Sequence, residues 1–291
     1  MRNLVFVPFG GPHIHVEDPA DAAAVVLPIY YELAPSFGTG SGEGPYHLLN
    51  ASIELENVDE ETFMDWSGIG IHTLQSFEPT RDPETAMGEI RDKAAEYVAT
   101  GKFLLSVGGD HAITIGLVEA AKNHYPDIGV LQIDAHLDLR DQYNGSRYNH
   151  ACVMRRLAED IGVSAVHVGI RSFCTEEFGY METNDIRPFF AHEIDPSDSA
   201  WMEAVIDQLP ETVYVTLDLD GLDPAVIPGT GTPEPGGLTY RQVVELIRRL
   251  GRRRRVVAAD INELVKIDGT QVSEFTAAKL ATKMFVNWVR V

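Results

Sequence analysis

Residues 129–138 read GVLQIDAHLD, a short and mostly apolar run, Gly129–Ile133, that stops abruptly on DAHLD. The same grammar recurs three times. Lys102–Val107 is followed by GGDH, residues 108–111; Val213–Leu217 by DLDGLDP, residues 218–224; and Val256–Ala259 by DINE, residues 260–263. Two further runs, Ala23–Leu27 and Ala165–Val168, have the same strand character. Between them lie helical patterns at Glu84–Ala99, Ile113–Asn123, Ala151–Glu159, Trp201–Gln208, Tyr240–Leu250 and Glu274–Val289. Strand–helix alternation over the whole length predicts a parallel sheet covered on both faces. Strands apolar on both sides fit that burial. With no internal repeat and no low-complexity linker, residues 1–291 read as one α/β domain, a three-layer α/β/α sandwich around a mostly parallel sheet.

In such sheets ligands bind beyond the carboxyl ends of the strands, where the acidic motifs fall. In extended chain, residues i, i+2 and i+4 face one way. Asp134, His136 and Asp138 are therefore expected to converge, and Asp218 with Asp220 from another strand. Four carboxylates crowded beside a buried sheet repel one another and lose hydration, unless cations compensate. Four carboxylates and two imidazoles, with His111 as the second, suit two divalent ions, of the manganese, nickel, iron or zinc type more than calcium. Each motif alone has a plainer reading. GGDH is a turn in which Asp110 caps a helix beginning near Ala112. DLDGLDP is a turn that lacks the later glutamate of an EF-hand. Together, on four strand ends of one sheet, they point to a metal centre.

Composition bounds the partners. With 44% hydrophobic residues the chain can bury a sizeable core. A net charge of -21 argues against nucleic acid and is compatible with a cationic ligand, with solubility or a salt-rich organism as the plainer reading. Two cysteines in 291 residues make no disulfide framework, which points to the reducing cytoplasm. No apolar stretch approaches the roughly 20 residues of a membrane span.

The motifs resemble the ureohydrolase family of arginases and agmatinases. The matching segments are GGDH, DAHLD, TLDLDGLDPA (216–225), PGTGTPEPGGL (228–238) and DINEL (260–264), in the family's order. VGIRS (168–172) is typical of the agmatinase branch. The resemblance implies an arginase-like fold and two divalent ions, usually manganese and in some members nickel. One ion would be held by His111, Asp134, Asp138 and Asp218, the other by Asp134, His136, Asp218 and Asp220, with Asp134 and Asp218 bridging. Two ions sharing a water lower its pKa enough to supply a nucleophile near neutral pH, and Asp138 would orient it. The resemblance further implies that His150, in YNHACVMRR, shuttles a proton to the leaving amine; Ala151 stands where many members carry glycine. Glu263 would clamp the guanidinium, with Thr232 orienting the glutamate. The implied reaction cleaves a small cationic guanidino substrate to urea and an amine, with agmatine giving putrescine as the expectation. Guanidinobutyrate, aminopropylagmatine, arginine, guanidine and formiminoglutamate are alternatives, as are a zinc deacetylase-like amidohydrolase and a non-catalytic member. Arg140 and Arg147, in the loop before His150, could meet a carboxylate tail. The resemblance also implies a homo-oligomer, since family members are commonly trimers or hexamers.

Other features are expected to be structural. Arg248–Arg255 reads as a surface or subunit-contact run, and Gly38–Pro45 as a flexible loop at the mouth of the site. His13 and His15 read as surface residues. His47, His72, His124, His167 and His192 lack an acidic constellation. Cys152 and Cys174 read as small buried residues.

Overall fold

The computed structural model describes residues 5–290. Eight strands form one sheet: β1 (Ala24–Pro28), β2 (Ile71–Thr73), β3 (Phe103–Val107), β4 (Gly129–Ile133), β5 (Ala165–Ile170), β6 (Phe189–Phe190), β7 (Thr212–Asp218) and β8 (Arg255–Asn262). Eight α-helices flank it: α1 (Gly44–Ser52), α2 (Pro83–Val98), α3 (Ile113–His124), α4 (Val153–Arg156), α5 (Thr175–Thr183), α6 (Ala200–Gln208), α7 (Tyr240–Arg253) and α8 (Val272–Trp288). The sheet order is β2-β1-β3-β8-β7-β4-β5-β6, and every pairing is parallel.

The strands alternate between two cores. In β1, Ala24 and Val26 pack on one side with side chains of α1, α6, α7 and α8. Val25 and Leu27 pack on the other with α2, α3, α4 and α5. All five β1 residues are buried, as a sheet covered on both faces requires. The expected three-layer architecture is the observed one.

Local chemistry sets the helix ends. Asp82 accepts from Thr85 N at 3.0 Å at the start of α2, where Pro83 occupies the first turn. Thr239 and Gln242 form a reciprocal capping box on α7. The expected helix over Ala151–Glu159 differs: α4 is one short turn, followed by a π-helical turn at Leu157–Ile161. Gly38–Pro45 is also not a loose loop. Gly40 N donates to Glu32 Oε1 at 2.7 Å, Ser41–Glu43 form a 3-10 turn, and α1 starts at Gly44.

The basic run folds back on its own chain. Arg249 and Arg253 reach Glu203 of α6 at 2.7 and 2.6 Å, and Arg253 reaches Asp207 at 2.6 Å. Arg254 donates to the carbonyls of Leu209 and Ile206. These contacts fasten α7 to α6.

Candidate metal centre and substrate cavity

The four motif-bearing strands are neighbours at the centre of the sheet, in the order β3, β8, β7, β4. Their carboxyl ends deliver GGDH, DINE, DLD and DAHLD to one crevice. The two glycines of GGDH are there for space. A Cβ on Gly109 would lie 2.1 Å from Tyr31 O, and one on Gly108 would lie 2.2 Å from Asn262 Oδ1.

The route to convergence is not the expected extended one. β4 ends at Ile133, and the chain turns: His136 N donates to Asp134 Oδ1 at 2.6 Å. Asp138 then has a left-handed φ of 53°. Glu263 is also left-handed, at 64°, with its N–H on Gly109 O at 2.7 Å. Such backbone costs about 1–3 kcal/mol and persists where the surroundings over-determine it. Asp218 and Asp220 are joined through a 3-10 turn in which Asp220 N donates to Asp218 Oδ1 at 3.0 Å.

His111 Nδ1 lies 3.0 Å from Asp138 Oδ2, 3.2 Å from Asp134 Oδ2 and 3.3 Å from Asp218 Oδ2. This nitrogen is buried and has no hydrogen-bond partner. On the other side of the ring, Nε2 is 2.8 Å from Thr216 Oγ1, whose hydroxyl donates to Asp260 Oδ1 at 2.6 Å. Thr216 therefore accepts from Nε2–H, and the network assigns Nδ1 as a bare lone pair. A lone pair facing three carboxylate oxygens is unfavourable until a cation stands between them. A second group consists of Asp134, His136 and Asp220, with His136 Nδ1 3.1 Å from Asp220 Oδ2 and 3.5 Å from Asp134 Oδ1. Asp134 thus turns one oxygen to each group, as a bridging carboxylate does. Asp218 Oδ2 faces the His111 group, while its Oδ1 takes the Asp220 amide.

The electrostatics state the same demand. Burial, then the charge of Asp134, pushes Asp138 up to about 6. Burial, Asp220 and Asp134 hold Asp218 well above the carboxylate range. Burial works against a charged His136, but Asp220 and Asp134 outweigh it and lift it to about 12. The cluster draws in positive charge, and its imidazole-carboxylate donors fit divalent transition metals.

Two supports stand behind the ligands, one of them Asp260 of the DINE motif, whose supporting place the sequence did not reveal. Asp260 belongs to β8 itself, one layer beneath the cluster. Its carboxylate accepts from Tyr214 at 2.5 Å, Thr216 and Asn262 at 2.6 Å, and Thr114 at 2.9 Å. His167, expected to be uninvolved, is buried with Nδ1 2.6 Å from Gln132 Oε1, and Gln132 Nε2 donates to Asp134 Oδ2 at 2.8 Å. Partners of this kind orient ligands and tune their basicity.

A cavity of about 340 Å³ opens over the cluster. His150 lines it, with Nε2 2.8 Å from Ser36 Oγ and Nδ1 3.8 Å from Asp110 Oδ2. Burial opposes the imidazolium, but Asp110, aided by Glu263 and Asp138, lifts His150 to about 9. Asp110 also accepts from Ala112 N at 2.9 Å, but the cap position of α3 is Ala112 itself, so Asp110 braces the turn before the helix rather than capping it. Glu263 lines the cavity, and its Oε1 accepts from His111 N at 2.7 Å. The Thr232 hydroxyl faces Asp220 Oδ2 at 3.3 Å, in a loop pinned at Leu238 to the β7 turn and at Gly229 to Val265 just past β8. Arg140 lines the cavity against Glu177 and Tyr143, whereas Arg147 turns away to Asp141 and Asp160. Cys152 is buried, but Cys174 is half-buried at the cavity wall, where it caps α5.

Residues 22–286 match the arginase family. The chain belongs to the arginase family. It is 40% identical over 276 residues to an N(1)-aminopropylagmatine ureohydrolase of Synechocystis sp., covering 92% of this chain and 90% of the relative. It is 32% identical over 271 residues to an agmatinase of Pyrococcus horikoshii, covering 90% and 91%. The agmatine ureohydrolase of Thermoplasma volcanium superposes with a TM-score of 0.88 at 29% identity, over 98% of this chain and 95% of that one. This arginase-family chain is a metal-dependent hydrolase that cleaves a guanidino group to urea and an amine. Among the described residues, no helix is long and apolar enough to cross a membrane.

Proposed function

We propose that the substrate is agmatine or its N(1)-aminopropyl derivative, cleaved to urea and putrescine or its aminopropyl analogue. The observation that carries the site assignment is Asp134, whose two oxygens serve two donor groups beneath one cavity. We assign His111, Asp134, Asp138 and Asp218 to one ion and Asp134, His136, Asp218 and Asp220 to the other. When bound, the ions supply an activated water and polarise the guanidinium. Asp138 orients the attacking oxygen by hydrogen bonding. Glu263 receives the guanidinium, a geometry carboxylates match in bidentate fashion. His150 holds a proton on Nε2, with Asp110 favouring the charged ring, and delivers it to the leaving amine nitrogen. Thr232 acts on Asp220 rather than on Glu263.

The longer, aminopropylated substrate is a second reading, favoured by the name of the relative at 40% identity. Manganese is our choice of metal, with nickel second, because the donors are imidazole and carboxylate without thiolate. We place the enzyme in the cytoplasm as a homo-oligomer, trimeric or hexameric, with residues 1–291 as one catalytic domain; a single sheet carrying every site loop supports the last point.

Urea release should be measured on agmatine, aminopropylagmatine, guanidinobutyrate and arginine after loading with manganese or nickel. Turnover of an amine-tailed substrate, abolished in Asp134→Asn, is the expected result. Absence of urea from every guanidine, or unchanged turnover in Asp134→Asn, overturns the assignment.

A further inference from the structure

Seven carboxylates line the substrate cavity, and six of them have an evident task. Asp138, Asp218 and Asp220 face the imidazoles of the metal cluster. Asp110 faces His150, and Glu263 takes the His111 amide. Glu177 accepts from Leu139 N and Cys174 N, and lies 3.9 Å from Arg140. The seventh is Glu234. Its carboxylate accepts from Ser172 Oγ at 3.0 Å, and among the described residues no cation lies within 4 Å of it.

The chain fixes the loop that presents this charge. Arg171 directs its guanidinium to the carbonyls of Glu234, Pro235, Asp220, Leu222 and Gly169, at 2.6–3.3 Å. Its donors are therefore spent on main chain, and its charge reaches the Glu234 carboxylate only through space. The wall of the same cavity also carries two apolar rings, Phe173, 40% exposed, and Phe37, 85% exposed. Exposed aromatics at a cavity mouth are suited to a methylene chain and to a cation over the ring.

We propose that Glu234 is the specificity-determining residue that receives the tail ammonium of the substrate, with Phe173 and Phe37 flanking the alkyl chain. This rests on the guanidino-hydrolase reading of the cavity and adds its second charge recognition. A dication carrying guanidinium at one end and ammonium at the other satisfies Glu263 and Glu234 together. A carboxylate tail meets Glu234 as a like charge and is rejected.

The test compares three substrates of similar length: agmatine, N-butylguanidine and 4-guanidinobutyrate, with the manganese-loaded full chain. Wild type should prefer agmatine over butylguanidine by about 10- to 100-fold in kcat/KM, the range of a charge-assisted hydrogen bond. Most of the preference should lie in KM and shrink with added salt. Glu234→Gln should collapse the ratio, and Glu234→Asp should keep part of it. Urea from agmatine and butylguanidine at equal kcat/KM in wild type overturns the proposal while leaving the hydrolase reading intact. So does a Glu234→Gln variant that loses both substrates in proportion, because that is the signature of a merely structural loop residue. Should Glu234→Gln not fold, the wild-type ratio and the Glu234→Asp variant decide. Absence of urea in wild type from all three and from aminopropylagmatine as well removes the hydrolase reading first, and this proposal with it.

Discussion

Replacing Thr216 by valine isolates the tautomer control of His111. Valine keeps the shape of threonine and removes the acceptor for Nε2–H at a fully buried position. An unsatisfied buried donor costs about 1–3 kcal/mol. The imidazole escapes by moving its proton to Nδ1, where carboxylate oxygens wait at 3.0, 3.2 and 3.3 Å. That escape removes the lone pair on which the metal depends. Loss of such supporting contacts weakens metal binding by about 10- to 100-fold, which corresponds to about 1.4–2.7 kcal/mol and agrees with the donor cost. Competition titration with a chromophoric chelator reads both manganese constants. In Thr216→Val one constant should rise by that factor while the site served by His136 changes little, and excess manganese should restore turnover. Thr216→Ser, which keeps the hydroxyl, should bind as wild type does. Two unchanged constants in Thr216→Val would refute the tautomer argument. An equal loss of thermal stability with and without metal would show that Thr216 serves packing alone.

Three further outcomes are expected. Lys283, fully buried, contacts Asp59 at 2.5 Å, Glu60 at 3.0 Å and Glu61 at 3.2 Å; Lys283→Met should cost about 3–5 kcal/mol in chemical denaturation, since it strands a buried carboxylate. Burial opposes the Asp59 charge, but Lys283 and Thr62 hold it below its ordinary 3.8, so its stabilisation is present above that pH and is lost as pH falls through the lower folded value. Lys283 is shifted above its ordinary 10.5, so its contribution is full below that pH and is lost as pH rises through the higher folded value; the gap between wild type and variant should be flat between these limits and close outside them. Gly109→Ala forces a Cβ against Tyr31 O at 2.1 Å, and should lower stability by about 1–3 kcal/mol and reduce metal content measured by elemental analysis. Glu263→Gln keeps an acceptor for the His111 amide but removes the charge, so KM should rise about 10- to 100-fold, with metal content unchanged.

The central strands were legible because their composition and their terminal motifs agree. β2 and β6 were not, since three and two residues carry no periodicity. α1 hides in a glycine- and proline-rich stretch that reads as loop, although Pro45 in its first turn was a usable signal. For α5 the signal was Glu177, three residues past Cys174, which completes a capping box around an unusual cap. The metal-binding residue types could be read, but their backbone path could not: alternation predicted convergence for Asp138, and a left-handed turn delivers it. The contact of Thr232 with Asp220 was not legible, because nothing in a loop sequence states which turn it packs on. His167 and Gln132 were silent because their role depends on cross-strand register, Gln132 opposite His167 and Thr216.

The sheet order has a consequence for synthesis. β3 and β4 follow each other in the chain but are separated in space by β7 and β8, which come last. As the chain leaves the ribosome, the inner edge of β4 stays open until β7 (Thr212–Asp218) arrives, and that of β3 until β8 (Arg255–Asn262) arrives. Strand edges of that kind invite mispairing. Neither half of the metal cluster is complete before β7, and Glu263 follows only after β8. Metal capture therefore waits until β7 has brought Asp218 and Asp220 beside β4.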